Sequence, residues 1–341
     1  MIRVQFEEAR RVLEEKTLKH GFSEREARLV SQTMAENSLE GVYSHGLVRF
    51  PAMIQGIRDG EVVVGKMPQI MSSFKGMENY DGQRGLGIPN GLFCMDRAVE
   101  LAKEYGIGCV AIRNTSHWLR AATYGYRACK AGMAAICMTN SLPNMPTWGA
   151  SDNRLGNNPI VLAFPYKDGD LICDMAMSQF SFGALEVAQL NRRELPVDGG
   201  YNLNGEVTRD PFEVEEGNRI MPTGYWKGAA MTFLIDAFVS GMSLGNSTRV
   251  IGELGGNRDV SQIYMAFNYK EIAPSPFSDE IIDRSVQYLL SSKMIEGIEQ
   301  IPFTGTDHII YTGQLAVEKR KDHLEKGIPV HEDTWNKILS L

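Results

Sequence analysis

The chain has 341 residues, 43% of them apolar and 23% charged, with a formal net charge of −7, which suits a folded globular protein of two domains or one large domain with a satellite. No basic block favours nucleic acid, and no apolar run reaches the roughly 18 residues of a membrane span. The N-terminal "MIRVQFEEARRVLEEKTLKHGF" alternates acids and bases along an amphipathic helix without an apolar signal core, so a cytoplasmic protein is expected.

In chain order, Ser23 and Glu26 form a capping box that opens a helix stopped at Gly41. "GVYSHGLVRFP" (41–51) follows, ahead of a helical pattern from Met53 to Arg58. If helical, it puts His45 and Arg49 on one face. An imidazole and a guanidinium facing one space suit a substrate whose carboxylate adjoins a reacting oxygen. The plainer alternative is a helix junction in which His45 caps a carbonyl and Arg49 meets a surface acid. Residues 61–80 read as short strands with turns.

"DGQRGLGIPNG" spaces Gly85, Gly87 and Gly91 ahead of a helix ended by Gly106. Pro89, one residue too many and the lack of an acid after the next strand argue for a glycine turn, not a dinucleotide fingerprint. "IGCVAIRN" reads as a buried strand. After it, "RNTSHWLR" offers a donor, a wall and a charge in His117, Trp118 and Arg120, or simply fixes a turn.

"GYRACKAGM" reads as a helix, and "AAICMTNS", "PIVLAFPY" and "DLICDMA" as strands, the last two joined by the turn "KDGD". This alternation predicts an α/β protein with a sheet covered by helices. Asp174 at a strand end would take ribose hydroxyls or cap a helix. Residues 191–224 are loop-rich. In "TGYWKGAAMTFL", Trp226 and Lys227 open a helix where amides and an ammonium make an anion site, unless the lysine only reaches solvent. The apolar "GAAMTFLIDAFVSGM" predicts a buried core helix, "SQIYMAFNY" a strand and "FSDEIIDRSVQYLLSSKM" a helix. Two polar helices follow around Gly327.

Cys94, Cys109, Cys129, Cys137 and Cys173 are odd in number and never spaced C-x-x-C, so they are expected reduced and buried. Neither they nor the six scattered histidines suggest a metal.

Seven stretches, in order along the chain, resemble the type 2 malate/L-lactate dehydrogenase family. They are "GVYSHGLVRFP", "IGCVAIRNTSHW", "MTNSLPNMPTWGA", "RLGNNPIVLAFP", "DMAMS", "LPVDGGYNLNGEVTRDP" and "PTGYWKGAAM". The "YSHG", "LPVDGG" and "GYWKG" forms are most similar to its 2,3-diketo-L-gulonate reductase branch. The resemblance implies a non-Rossmann nicotinamide-binding fold, a central mixed sheet covered by helices. It places a helical, substrate-side domain at 1–70 plus 280–341 and a cofactor-binding domain at 71–279.

It also implies His45 as the proton donor, Ser44 beside it, Arg49 on the substrate carboxylate and His117 on substrate oxygens. For the cofactor it points to Asp170, Leu171, Ile172, Cys173, Asp174, Met175 and Ala176, and to Trp226 and Lys227. A third stretch is Gly313, Gln314 and Leu315, with Gly305, Thr306 and Asp307 as the alternative because the chain is longer than the family pattern there. Thr139 and Asn140 are expected along the nicotinamide pocket. NAD (as NADH) is favoured because Asp174 would repel a 2′-phosphate, and NADP stays open because Lys227 would attract one.

A small 2-keto acid substrate and a homodimer complete the expectation. Malate, lactate, sulfolactate and ureidoglycolate dehydrogenases and cyclic imine reductases share the same logic. A hydrolase built on Ser44 and His45 is disfavoured, since neighbours in a helix diverge and no G-x-S-x-G elbow exists. A non-catalytic sugar-acid binder would not need both His45 and Arg49.

Overall fold

The computed structural model describes residues 1–341 apart from 168, 191, 257, 302 and 303 and the side chain of 190. Parts of the expected turn at 167–170, of the loop at 191–224 and of the long stretch before Gly313 therefore lie outside the described residues. The chain opens with β1 (Ile2–Val4), α1 (Phe6–Lys19) and α2 (Glu24–Leu39). The capping box forms: Glu26 N–H donates to Ser23 Oγ, and Ser23 N–H donates to the Glu26 carboxylate.

After α2 come two single 3-10 turns, Tyr43–His45 and Leu47–Arg49, and then α3 (Phe50–Arg58). The expected shared helical face of His45 and Arg49 is therefore broken at Gly46. A Cβ on Gly46 would lie 2.0 Å from Ser38 Oγ, so the chain passes too close to α2 to carry a side chain there. Ser38 Oγ instead accepts the N–H of Leu47 at 2.9 Å.

There follow β2 (Gln69–Phe74), β3 (Met77–Gly85), α4 (Gly87–Tyr105), β4 (Ile107–Thr115), α5 (Ala122–Lys130) and β5 (Ala134–Thr139). Short β6 (Met145–Pro146) and β7 (Asn153–Leu155) precede β8 (Ile160–Phe164) and β9 (Leu171–Met175). The helix α6 (Phe182–Leu190) has apolar residues all round, so no 3.6-residue stripe announces it. The loop-rich region holds β10 (Gly200–Tyr201), β11 (Val207–Thr208) and α7 (Pro211–Gly217). The chain ends with α8 (Trp226–Ser243), α9 (Thr248–Leu254), β12 (Val260–Phe267), α10 (Phe277–Leu290), α11 (Gln314–Lys326), β13 (Ile328–Val330) and α12 (Glu332–Ser340).

Among the described residues, seven strands form the main sheet in the order β2-β3-β4-β12-β5-β8-β9. Only β3 and β4 run parallel within it, so the sheet is mixed. Side chains of α4 and α5 fill one core against β4, β5 and β12, around Trp118, Tyr124 and Tyr264. A second core joins the chain ends: Leu13, Met34 and Phe50 pack with Ile328, Trp335 and Ile338, and β1 pairs with β13.

The expected burial of α8 holds for one stripe only. Ala229, Thr232, Ile235 and Val239 are buried, whereas Phe233 and Phe238 are 61% and 55% exposed. Its composition is apolar on both faces, and the chain's own sheet covers just one. All five cysteines are free, four of them buried and Cys173 partly so.

Candidate active site

Two cavities meet at His117. The first, of about 610 Å3, is bordered by Ser44, His45, His117, Thr139, Asn140 and Asp174. The second, of about 320 Å3, is bordered by Arg49, Met53, Ile88, Ser116, His117 and Leu142. Although the helix is broken, the two turns still bring His45 and Arg49 to the same histidine from either side. The rings of His45 and His117 stack with centroids 5.8 Å apart and planes 16° from parallel.

Each histidine is held by its own loop. Asn37 Nδ2 donates to His45 O at 2.9 Å, and Ser44 Oγ lies 3.0 Å from His45 Nδ1. The loop after β4 is anchored by the buried indole of Trp118, whose carbonyl accepts from Tyr124 Oη at 2.7 Å. The glycine turn supports this loop from behind. Gly87 N–H donates to Ser116 Oγ at 2.8 Å, and a Cβ on Gly87 would sit 2.2 Å from His117 O. That close approach explains the glycine without any phosphate.

The electrostatics are one-sided. Burial, then Arg49 and Arg120, push the His45 pKa down to about 4. Arg120 is buried and ion-paired with Glu40, which also accepts from Arg320. The Arg49 backbone N–H donates to Gly46 O at 3.0 Å, but its guanidinium has no hydrogen-bond or ion-pair partner among the described residues. A guanidinium without a counter-charge, beside two neutral imidazoles, is a site for an anion.

The floor of the first cavity comes from β9 and its neighbour. Ile172, Cys173, Asp174 and Ala176 border the cavity. Asp170 borders a different hollow and accepts Tyr166 N–H at 3.4 Å, while Leu171 pairs with Phe164 and Met175 does not border the cavity. Of the two readings of Asp174, the cap is formed. One carboxylate oxygen accepts Ala122 N–H at 2.8 Å and caps α5, and the other has no protein partner among the described residues. Burial raises the Asp174 pKa against the pull of that N–H and of Arg120.

Thr312 pairs with the outer edge of β9 through Ile172 N–H at 3.1 Å. Gly313 follows at φ +101, where a Cβ would lie 2.5 Å from Asp170 O. Gly313 and Leu315 therefore border the first cavity, while the Gln314 side chain accepts Tyr311 N–H and donates to Glu318 at the head of α11. Gly305, Thr306 and Asp307 border a separate hollow.

Asn140 lines the cavity, but its amide is committed to Asp236, Asn246 and Ser261, and Thr139 Oγ1 to the carbonyls of Asn140 and Ser261. Trp226 and Lys227 do not border it. They stand exposed at the head of α8 with the ammonium 5.5 Å from the indole centroid. Lys319 does border it. Nothing in the charge-rich "EKRKDH" of α11 singles that lysine out, so only the fold reveals it.

The malate/L-lactate dehydrogenase family model matches residues 4–339. A 2,3-diketo-L-gulonate reductase of Escherichia coli O127:H6 is 35% identical over 341 residues, covering 100% of both chains. Malate dehydrogenase from Pyrococcus horikoshii OT3 superposes with a TM-score of 0.88 at 27% identity, over 99% of this chain and 95% of that one. Malate dehydrogenase from Entamoeba histolytica gives a TM-score of 0.92 at 23% identity, over 99% and 96%, a likeness of fold. The chain therefore belongs to the malate/L-lactate dehydrogenase family and is an NAD(P)-dependent oxidoreductase of hydroxy and keto acids.

Proposed function

We propose that the protein is an NADH-dependent reductase of a 2-keto sugar acid, with 2,3-diketo-L-gulonate reduced to 3-keto-L-gulonate as its reaction. The observation that carries the keto-acid reading is the unpaired Arg49 guanidinium beside the stacked His45 and His117, at the junction of two cavities, and the 35% identity to a 2,3-diketo-L-gulonate reductase supports the sugar acid among keto acids. Arg49 clamps the carboxylate by a two-pronged hydrogen bond, and His45 gives its proton to the neighbouring carbonyl oxygen. Ser44 Oγ, at 3.0 Å from Nδ1, orients the His45 ring.

A nicotinamide cofactor fits the residues present. The first cavity joins apolar walls, Ile172 and Leu315, to a free Asp174 oxygen and to Lys319. When bound, the cofactor supplies the hydride. Asp174 would hold ribose hydroxyls, and the 312–315 turn would border the nucleotide. Trp226 and Lys227 are the proposed outer contacts of the cofactor; the segment just before them joins the end of β9, where Thr223 N–H donates to Met177 O at 2.9 Å, three residues beyond Asp174. Asp174→Ala should weaken NADH more than NADPH, since it removes both a ribose acceptor and the charge that opposes a 2′-phosphate. Fluorescence titration with the two cofactors checks this, and equal losses would remove Asp174 from the ribose site.

The chain ends, 1–70 with 280–341, form the substrate side in this reading, and 71–279 the cofactor side. The uncovered face of α8, with Met231, Phe233, Leu234, Phe238 and Met242, supports a homodimer. The test is NADH oxidation against a panel of 2,3-diketo-L-gulonate, oxaloacetate, pyruvate, a 3-sulfonated pyruvate and a cyclic imine acid. The sugar acid should give the highest kcat/KM, from a preparation that sediments as a dimer. Preference for another member, or a monomer at micromolar concentration, would overturn the corresponding part.

A further inference from the structure

The hydrogen bonding of His117 separates its work from that of His45. The backbone N–H of Leu119 points at His117 Nδ1 at 3.0 Å. A backbone amide only donates, so Nδ1 must present its lone pair. The neutral ring then carries its one hydrogen on Nε2, which has no protein partner among the described residues. A neutral Nδ1–H tautomer would break the Leu119 bond, and a second proton on the ring would both break it and set another cation beside Arg49.

This arrangement is built in. Leu119 reaches back to His117 only because its φ is +62, a left-handed conformation that L side chains seldom adopt. Buried neighbours hold it there: the Leu119 side chain itself, the indole of Trp118, and Tyr124 on the Trp118 carbonyl. Gly87 packs against the His117 carbonyl, so the loop cannot relax in that direction. Burial, then His45 and Arg49, push the His117 pKa down to about 3, which agrees with a ring that stays neutral.

We infer that His117 is a fixed neutral donor whose Nε2–H holds the substrate carbonyl oxygen, while His45 alone exchanges the proton. The inference rests on the keto-acid reading above. As the carbonyl carbon takes the hydride, the C=O π pair moves to oxygen, and the new O–H bond forms with the proton that leaves His45. His117 neither gains nor loses a proton. Its bond to the oxygen strengthens as charge gathers there, the behaviour expected of an oxyanion donor.

Two experiments test this. With only six histidines in the chain, 15N-histidine labelling of the intact protein resolves each ring. His117 is identified by coupling across the hydrogen bond to the Leu119 amide. From pH 5 to 8 it should show an unprotonated Nδ1 and a protonated Nε2 and should not titrate. A protonated Nδ1, or a titration within that range, would overturn the inference. No enzyme activity is needed, so absence of keto-acid turnover in the wild type would sink the functional reading without touching the tautomer.

The second experiment compares His117→Gln with His117→Asn. Glutamine places an amide nitrogen near the Nε2 position, and asparagine an oxygen near that of Nδ1. A donor role predicts that His117→Gln keeps kcat within about tenfold of wild type while His117→Asn loses about 10²–10³-fold, the scale of one oxyanion donor. The reverse order would make the Leu119 bond, a positioning contact, the important one. Equal losses with a vanished limb in the pH profile would make His117 the acid. If either variant fails to fold, the wild-type spectrum still decides.

Discussion

Replacing His45 by alanine should lower kcat for keto-acid reduction by about 10²–10⁴-fold, the range for a positioned proton donor, with NADH affinity retained. The expectation follows from the division of labour at the junction. Asp174, Gly313 and Leu315, the groups proposed for the nucleotide, belong to other elements than the turn that carries His45.

The pH dependence has a definite sign. Because the His45 pKa is pushed down to about 4, little of the free enzyme carries the acid at pH 7. At low keto acid, reduction should accelerate as pH falls from 8 toward 5. Oxidation of the hydroxy acid needs the neutral ring and should slow only near the lowered pKa. Stability runs the other way. The unfolded chain binds this proton first, near the ordinary pKa of 6.5, so stability is lost as pH falls from about 6.5 toward 4. His45→Ala should be less acid-sensitive in that window. Steady-state kinetics and thermal melts across pH check both. A variant within a few-fold of wild type would move the proton donor elsewhere.

The residue types of the site were legible in the sequence, and their arrangement less so. The spacing of His45 and Arg49 suggested one helical face, yet Gly46 divides them. The reason is the approach of Ser38 from α2, a tertiary contact that no local pattern encodes. Asp174 stood at a strand end as read, but the helix it caps, α5, begins 52 residues earlier in the chain. The third cofactor stretch was ambiguous in the sequence because two glycine-containing turns lie eight residues apart. The pairing of Thr312 with β9 is what sets Gly313 and Leu315 beside the first cavity. The apolar composition of α8 was read as burial because composition does not say what covers a face. The fold was more legible, since alternating apolar strands and capped helices carry their own punctuation.

Arg49→Lys should lower kcat/KM for 2-keto acids by about 10–100-fold, the loss of about one charge-assisted hydrogen bond. Arg49→Met should lower it further. Lysine keeps the charge but offers a point where the carboxylate presents two oxygens. The uncharged methionine also lifts one of the charges that hold down the His45 pKa, so the acid limb of its pH profile should move toward higher pH. The Arg49→Lys profile should stay nearly in place. NADH binding should survive both changes, because Arg49 borders the second cavity and Asp174 the first. A keto ester in place of the keto acid completes the test. Wild type should handle it poorly, and the substitution should then cost little more, because the partner of the guanidinium has already been removed. A defect equally large for the ester would make Arg49 a prop for the turn that carries His45, and the carboxylate would have to be held elsewhere.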